Sequence, residues 1–192
     1  MSTFIFVRHG QSDGNANGYI ATADTKLTEV GVEQAKATAM KVKGKGITKI
    51  VCSPMIRAQQ TAETIAAELG IDLAHIKIVE ELRERGLGEV EGKPKNHDSA
   101  WYLTNDETNV GIESRADLIK RMRSCLDTLS DMAGGDSVLA VGHAISGYYL
   151  AEAAEGKTRF EDFGPAQELL NADFIEIDLD RHKLSAESTP TV

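Results

Sequence analysis

Arg8, His9, Ser53, Arg57 and His143 are side chains that can hold and attack a phosphoryl group, and each lies at or just after the end of a strand-like run. Arg8-His9-Gly10 closes Phe4 to Val7, Ser53 and Arg57 follow Lys49 to Cys52, and Gly142-His143 closes Val138 to Val141. Two guanidiniums can clamp phosphoryl oxygens with charge-assisted hydrogen bonds and stabilise charge during in-line transfer. One neutral imidazole can attack phosphorus while the other donates to an equatorial oxygen, and the residues alone leave open which does which. Gly10 is expected to allow a tight turn and to bring main-chain N–H groups close to the anion.

The elements that must position these groups alternate strand and helix, which predicts an α/β fold. In a parallel sheet the three strand-to-helix turns share the carboxyl edge, where ligands bind and helix N-termini add partial positive charge. Thr28 reads as the N-cap of a helix to about Lys43, with Val32, Ala35, Ala39 and Val42 on one face. Ser53-Pro54 reads as cap and first-turn proline of a helix to Leu69 whose apolar face includes Ala58, Thr61, Ala62 and Ile65. A third strand is expected over Ile76 to Val79, a long helix from about Glu113 to Ala133, a helix from Ile145 to about Glu155, and a last strand from Phe174 to Leu179. Gln11 to Lys26 is a polar loop with no periodicity. Residues 93–111, which hold Trp101 and Tyr102, read as an insertion covering the ligand edge.

The chain's 192 residues, 41% of them hydrophobic and 27% charged, fit one domain over residues 1–192. A formal net charge of -9 argues against a nucleic-acid or anionic-membrane partner, so any anion must be held by a local pocket. With no leader-like segment and no membrane-length apolar run, a cytoplasmic protein is expected. Cys52 and Cys125 lack metal spacing and are expected to be small buried hydrophobes. Cys52 and Arg57 lack the cradle of a cysteine phosphatase, and Gly44-Lys45-Gly46 lacks P-loop spacing. His75, His97 and His182 read as surface histidines, and neither a metal nor an organic cofactor is expected.

As a set, the motifs resemble the histidine phosphatase superfamily, in the branch that includes cofactor-dependent phosphoglycerate mutases and related phosphatases. The resemblance runs from Arg8-His9-Gly10 through Asn15, Leu27-Thr28, Gln34-Ala35, Ser53-Pro54, Arg57-Ala58, Thr61-Ala62, Leu82 to Glu84, Glu91-Gly92 and Gly142-His143. It implies a three-layer α/β/α sandwich with a mixed, mostly parallel central sheet. It implies that His9 becomes phosphohistidine, that Arg8, Arg57, His143 and Asn15 bind the phosphoryl group, and that Glu84 is the proton donor. Glu81 is the competing carboxylate, and motif register favours Glu84. Ser12, Tyr19, Arg85, Trp101 and Tyr102 are further candidates for substrate contact.

The sequence departs from the common pattern at Gln11-Ser12 and at Ala144, which leaves the four side chains expected to contact the phosphate untouched. The expected activity is hydrolysis of a small phosphomonoester by a histidine acid-type phosphatase, acting on a small phosphorylated metabolite. A phosphoglycerate mutase-type transferase is the first alternative, and a non-catalytic phosphate-binding module is the second. Oligomeric state is open, a homodimer included.

Overall fold

Phe4-Ile5-Phe6-Val7 is apolar at every position, as a strand covered on both faces must be. In the computed structural model, which describes residues 4–95, 110–157 and 168–178, this run is fully buried. It forms β1 (Phe4–Arg8), followed by α1 (Asp13–Asn17), α2 (Glu29–Val42), β2 (Ile47–Cys52), α3 (Ile56–Leu69) and β3 (Ile76–Ile78). Next among the described residues come α4 (Arg115–Ala133), β4 (Ser137–Gly142), α5 (Ala144–Ala154) and β5 (Phe174–Ile177). The sheet order is β3-β2-β4-β1-β5, parallel except for β5, which runs antiparallel to β1.

Alternation along the strands sends side chains into two separate cores. Phe4, Phe6, Val138 and Ala140 pack with Leu118, Met122 and Leu126 of α4 and Tyr149 and Leu150 of α5. Ile5, Val7, Leu139 and Val141 pack with Ala35 and Ala39 of α2 and Ala58, Ala62 and Ile65 of α3. The result is the expected mixed α/β/α sandwich. Burying a side chain such as Phe6 is worth roughly 1.5–3 kcal/mol, and the approach of α5 to that ring is close. A Cβ on Gly147 would lie 2.3 Å from the Phe6 ring and one on Gly142 2.7 Å from it. These glycines let α5, and the Glu84-binding N–H groups at its start, sit against the sheet.

Strand register brings the three chemical turns together. Arg8 pairs with Gly142 and Cys52 with Val141, so the residues that follow each strand emerge side by side. His9 N–H donates to Gly142 O at 2.9 Å and Ser53 N–H to Val141 O at 2.9 Å.

Several local expectations are corrected. Ser53 is not the cap of α3: the helix starts at Ile56, Met55 is its N-cap, and no side chain caps it. Gly10 is needed for packing against α2, because a Cβ there would lie 2.3 Å from Gly31 O. The loop after Gly10 contains α1, closed by a capping box in which Ser12 and Asn15 bond each other's backbone N–H groups. Thr61, assigned to an apolar face, accepts from Gly10 N–H at 3.1 Å and donates to Arg57 O. Thr28 caps α2 as expected, while Ser114 caps α4. Cys52 and Cys125 are buried and unpaired by disulfide, and burial pushes both thiols up to about 12. No helix among the described residues is long and apolar enough to cross a membrane. Trp101, Tyr102, His97 and His182 lie outside the described residues.

Candidate active site

A cavity of about 240 Å³ opens at the carboxyl edge of the sheet. Arg8, His9, Ser12, Asn15, Arg57 and Glu84 line it, with Ile20, Ala21, Leu87, Lys95, Ala144, Ile145 and Glu168 completing the wall. His9 directly follows β1 and is almost wholly buried. Its Nδ1 lies 2.7 Å from Gly10 O, a carbonyl that can only accept, so Nδ1 carries the proton. Its Nε2 accepts from Arg57 Nε at 3.2 Å, which places the lone pair of the ring on Nε2. Burial, followed by the Arg57 and Arg8 charges, lowers the His9 pKa well below its ordinary value, so the ring is neutral and nucleophilic.

His143 stands at the N-terminus of α5, edge-on to His9 with ring centroids 5.1 Å apart. It is completely buried behind His9 and is not part of the cavity wall, and burial followed by the Arg57 charge also lowers its pKa well below the ordinary value. Its Nε2 lies 2.7 Å from Ser53 Oγ, whose hydroxyl oxygen also accepts from Met55 N–H. His143 Nδ1 and Arg8 Nε are buried with no partner among the described residues. Unmet groups of this kind cost free energy unless a ligand satisfies them, and here both belong to the site's basic residues.

The sequence from residue 4 to residue 189 matches the model of the histidine phosphatase superfamily, branch 1. The chain belongs to that superfamily. It is 34% identical over 158 residues to a Yersinia enterocolitica protein named as a probable phosphoglycerate mutase, GpmB, covering 76% of this chain and 71% of that one. Its fold is similar to that of a mycobacterial glucosyl-3-phosphoglycerate phosphatase complexed with VO3, with TM-score 0.75, 24% identity and coverage of 95% and 94%. An Entamoeba histolytica phosphoserine phosphatase in complex with phosphoserine gives TM-score 0.71 and 23% identity, with coverage of 92% and 90%.

Against this superfamily background the two competing carboxylates separate. Glu84 lines the cavity, whereas Glu81 is absent from the wall and gives its carbonyl to Arg121. Glu84 Oε1 accepts from Ser146 N–H at 2.8 Å and Arg85 N–H at 3.0 Å, and Oε2 from Ile145 N–H at 3.2 Å. The first turn of α5 therefore aims the carboxyl group. Its loop is braced by Arg121, which grips both Glu113 oxygens at 2.7 and 2.6 Å and donates to Glu81 O and Arg83 O.

Asn15 Oδ1 accepts from Ser12 N–H, Ser12 Oγ–H and Asn171 Nδ2, so its amide NH₂ is the group left to donate. Ser12 is chiefly the cap that orients Asn15. Arg85 is a correction: it is buried with Nε donating to Glu113 O, and it is not part of the cavity wall. Tyr19 pairs with Pro94 in an isolated bridge and also lies outside the wall. Gln11, one of the departures from the family pattern, accepts from Thr28 Oγ and supports the start of α2.

The sequence reading missed Ser53 as the partner of His143, Arg121 as the brace of Glu84, and the 168–173 segment. In that segment Asn171 and Ala172 both bond His9 O, and Asp173 O accepts from Arg8 N–H. The Ser-Pro pair hid the first, since it fits a helix start. Nothing in the polar spacing of residues 168–173 marks the third.

Proposed function

We propose that this protein hydrolyses a small phosphomonoester through a phosphohistidine on His9. The observation that carries the proposal is the fixed His9 tautomer, with Nε2 deprotonated beneath two guanidiniums and Glu84 in the same cavity. Arg8, Arg57 and the Asn15 amide hold the phosphoryl oxygens, and His143, with its unpartnered Nδ1, supplies a further donor. His9 Nε2 attacks phosphorus as the P–O bond to the leaving group breaks, and the Glu84 carboxyl gives its proton to the departing oxygen. Water then attacks the phosphohistidine, Glu84 takes a proton from it, and the P–N bond breaks to release phosphate and neutral His9. The substrate is a small phosphorylated metabolite and the site of action the cytoplasm.

Rapid quenching with labelled substrate should trap a protein-bound phosphate that is acid-labile and base-stable, and His9→Ala should abolish it together with at least about 10⁴-fold of turnover. Label persisting in His9→Ala would overturn the assignment. Mutase activity is the second reading, favoured by the likeness to the probable phosphoglycerate mutase of Yersinia enterocolitica. Given 3-phosphoglycerate with catalytic 2,3-bisphosphoglycerate, a phosphatase releases free phosphate, or neither product when the true substrate is unrelated. A mutase gives 2-phosphoglycerate with almost no phosphate.

A further inference from the structure

Arg8 does not face the cavity alone. Glu168, on the segment before β5, places Oε1 2.7 Å from Arg8 Nη1 and lines the same cavity. The same Nη1 donates to Leu169 O, so both its hydrogens are engaged. A phosphoryl group can then use the other N–H groups of Arg8, including the unpartnered Nε, without displacing Glu168. The Arg8 side chain is 7% exposed and that of Glu168 43%, so the carboxylate stands at the mouth of the cavity rather than on the floor.

We propose that Glu168 selects the alcohol that is released. With one oxygen on Arg8, the carboxylate has a second to accept a hydrogen bond from a hydroxyl or ammonium group of the leaving alcohol. It repels an alcohol that itself carries a carboxylate. This rests on the phosphatase reading and narrows it: polyol and amino-alcohol phosphates fit, and phosphoglycerates fit poorly. Lys95, exposed on the same wall, attracts acidic groups, but Glu168 opposes its charge.

Glycerol 3-phosphate and 3-phosphoglycerate make a suitable pair, since they differ by CH₂OH against carboxylate on a similar frame. Calorimetry on His9→Ala protein measures binding of each without turnover. Glycerol 3-phosphate should bind more tightly, and adding Glu168→Gln should shift the affinity ratio toward 3-phosphoglycerate on the order of tenfold, the size of one partly screened charge. An unmoved ratio, an equal weakening of both ligands, or no binding of either would overturn the proposal. Phosphate release by the wild-type protein is scored separately. A shifted binding ratio without any hydrolysis would support Glu168 as selector while overturning the hydrolase reading.

Discussion

The floor and the mouth of the cavity are built by different rules. On the floor, His9 and Arg57 line the cavity with His143 and Ser53 buried behind them; His9, His143 and Ser53 follow three neighbouring strands, Arg57 lies in the first turn of α3, and each makes contacts that fix its orientation. At the mouth, Lys95 and Glu168 are exposed on irregular chain. Sheet register settles the floor, so its chemistry is tied to the fold. The mouth can change without disturbing the core, which is where differences in substrate can arise within a shared mechanism.

The sharpest way to separate the two regions is to remove the acid while leaving the nucleophile. Glu84→Gln should cost about 10²- to 10⁴-fold in kcat with an alkyl phosphate and much less with nitrophenyl phosphate, whose leaving group departs unaided. Gln keeps one oxygen for Ser146 N–H but turns its NH₂ toward Ile145 N–H, so the difference between the two leaving groups, and not the size of the loss, reports on proton transfer. Equal losses on both substrates would return Glu84 to a positioning role.

Ser53→Ala tests the floor one layer deeper. Its hydroxyl accepts from Met55 N–H and lies 2.7 Å from His143 Nε2, the one hydrogen-bond partner that this ring nitrogen has among the described residues. Removing it leaves Nε2 buried and unpaired, at about 1–3 kcal/mol. We expect a loss of about tenfold in kcat/KM, together with a shift of the His143 Nε2 resonance as it loses its hydroxyl partner. A lower melting temperature with resonances and kinetics unchanged would mean that Ser53 only packs.

How much of this contrast was legible in the sequence follows from the same physics. β1 and β4 were readable because apolar strand formers stop at Arg8-His9 and Gly142-His143, and parallel pairing then brings the histidines together. Helices α2 and α4 were readable from their apolar stripes and end signals. Ser53 was misread because a serine before proline suits a helix start, and only the tertiary structure reveals that the hydroxyl is committed to His143. Gly10 was misread because the need for glycine comes from Gly31 O on a distant helix. Arg85 looked like a pocket cation by proximity to Glu84, yet adjacent residues in an irregular turn face different ways. Glu168 reaches Arg8 across 160 residues of sequence, a distance no local pattern spans.

The buried histidines also predict how stability depends on pH. Both have folded pKa values well below the ordinary 6.5, which the unfolded chain recovers. Below pH 6.5 the unfolded state therefore binds more protons, and stability is present above that pH and lost as pH falls through it. Urea midpoints should be level from pH 8 to 7 and decline between about 6.5 and 5, with a slope approaching two protons. In His143→Phe the slope over that window should drop toward one. A flat profile in the wild type would mean that the floor accepts a charged imidazole.

The smallest effect belongs to the mouth. Lys95 lines the cavity and is exposed as a residue, yet partial burial of its ammonium lowers its pKa, and Glu168 partly counters its charge. Its charge reaches His9 and Glu84 through space without a hydrogen bond to either, so its contribution should lie chiefly in drawing the dianionic substrate in. Lys95→Met keeps the length of the side chain and removes the charge. The expected change is a rise in KM of about two- to fivefold at low ionic strength, with kcat nearly constant, and the difference should vanish as salt approaches about 0.5 M. A fall in kcat that persists in high salt would show that Lys95 holds charge developing in the transition state. That result would move it from the mouth to the floor and erase the boundary drawn between them.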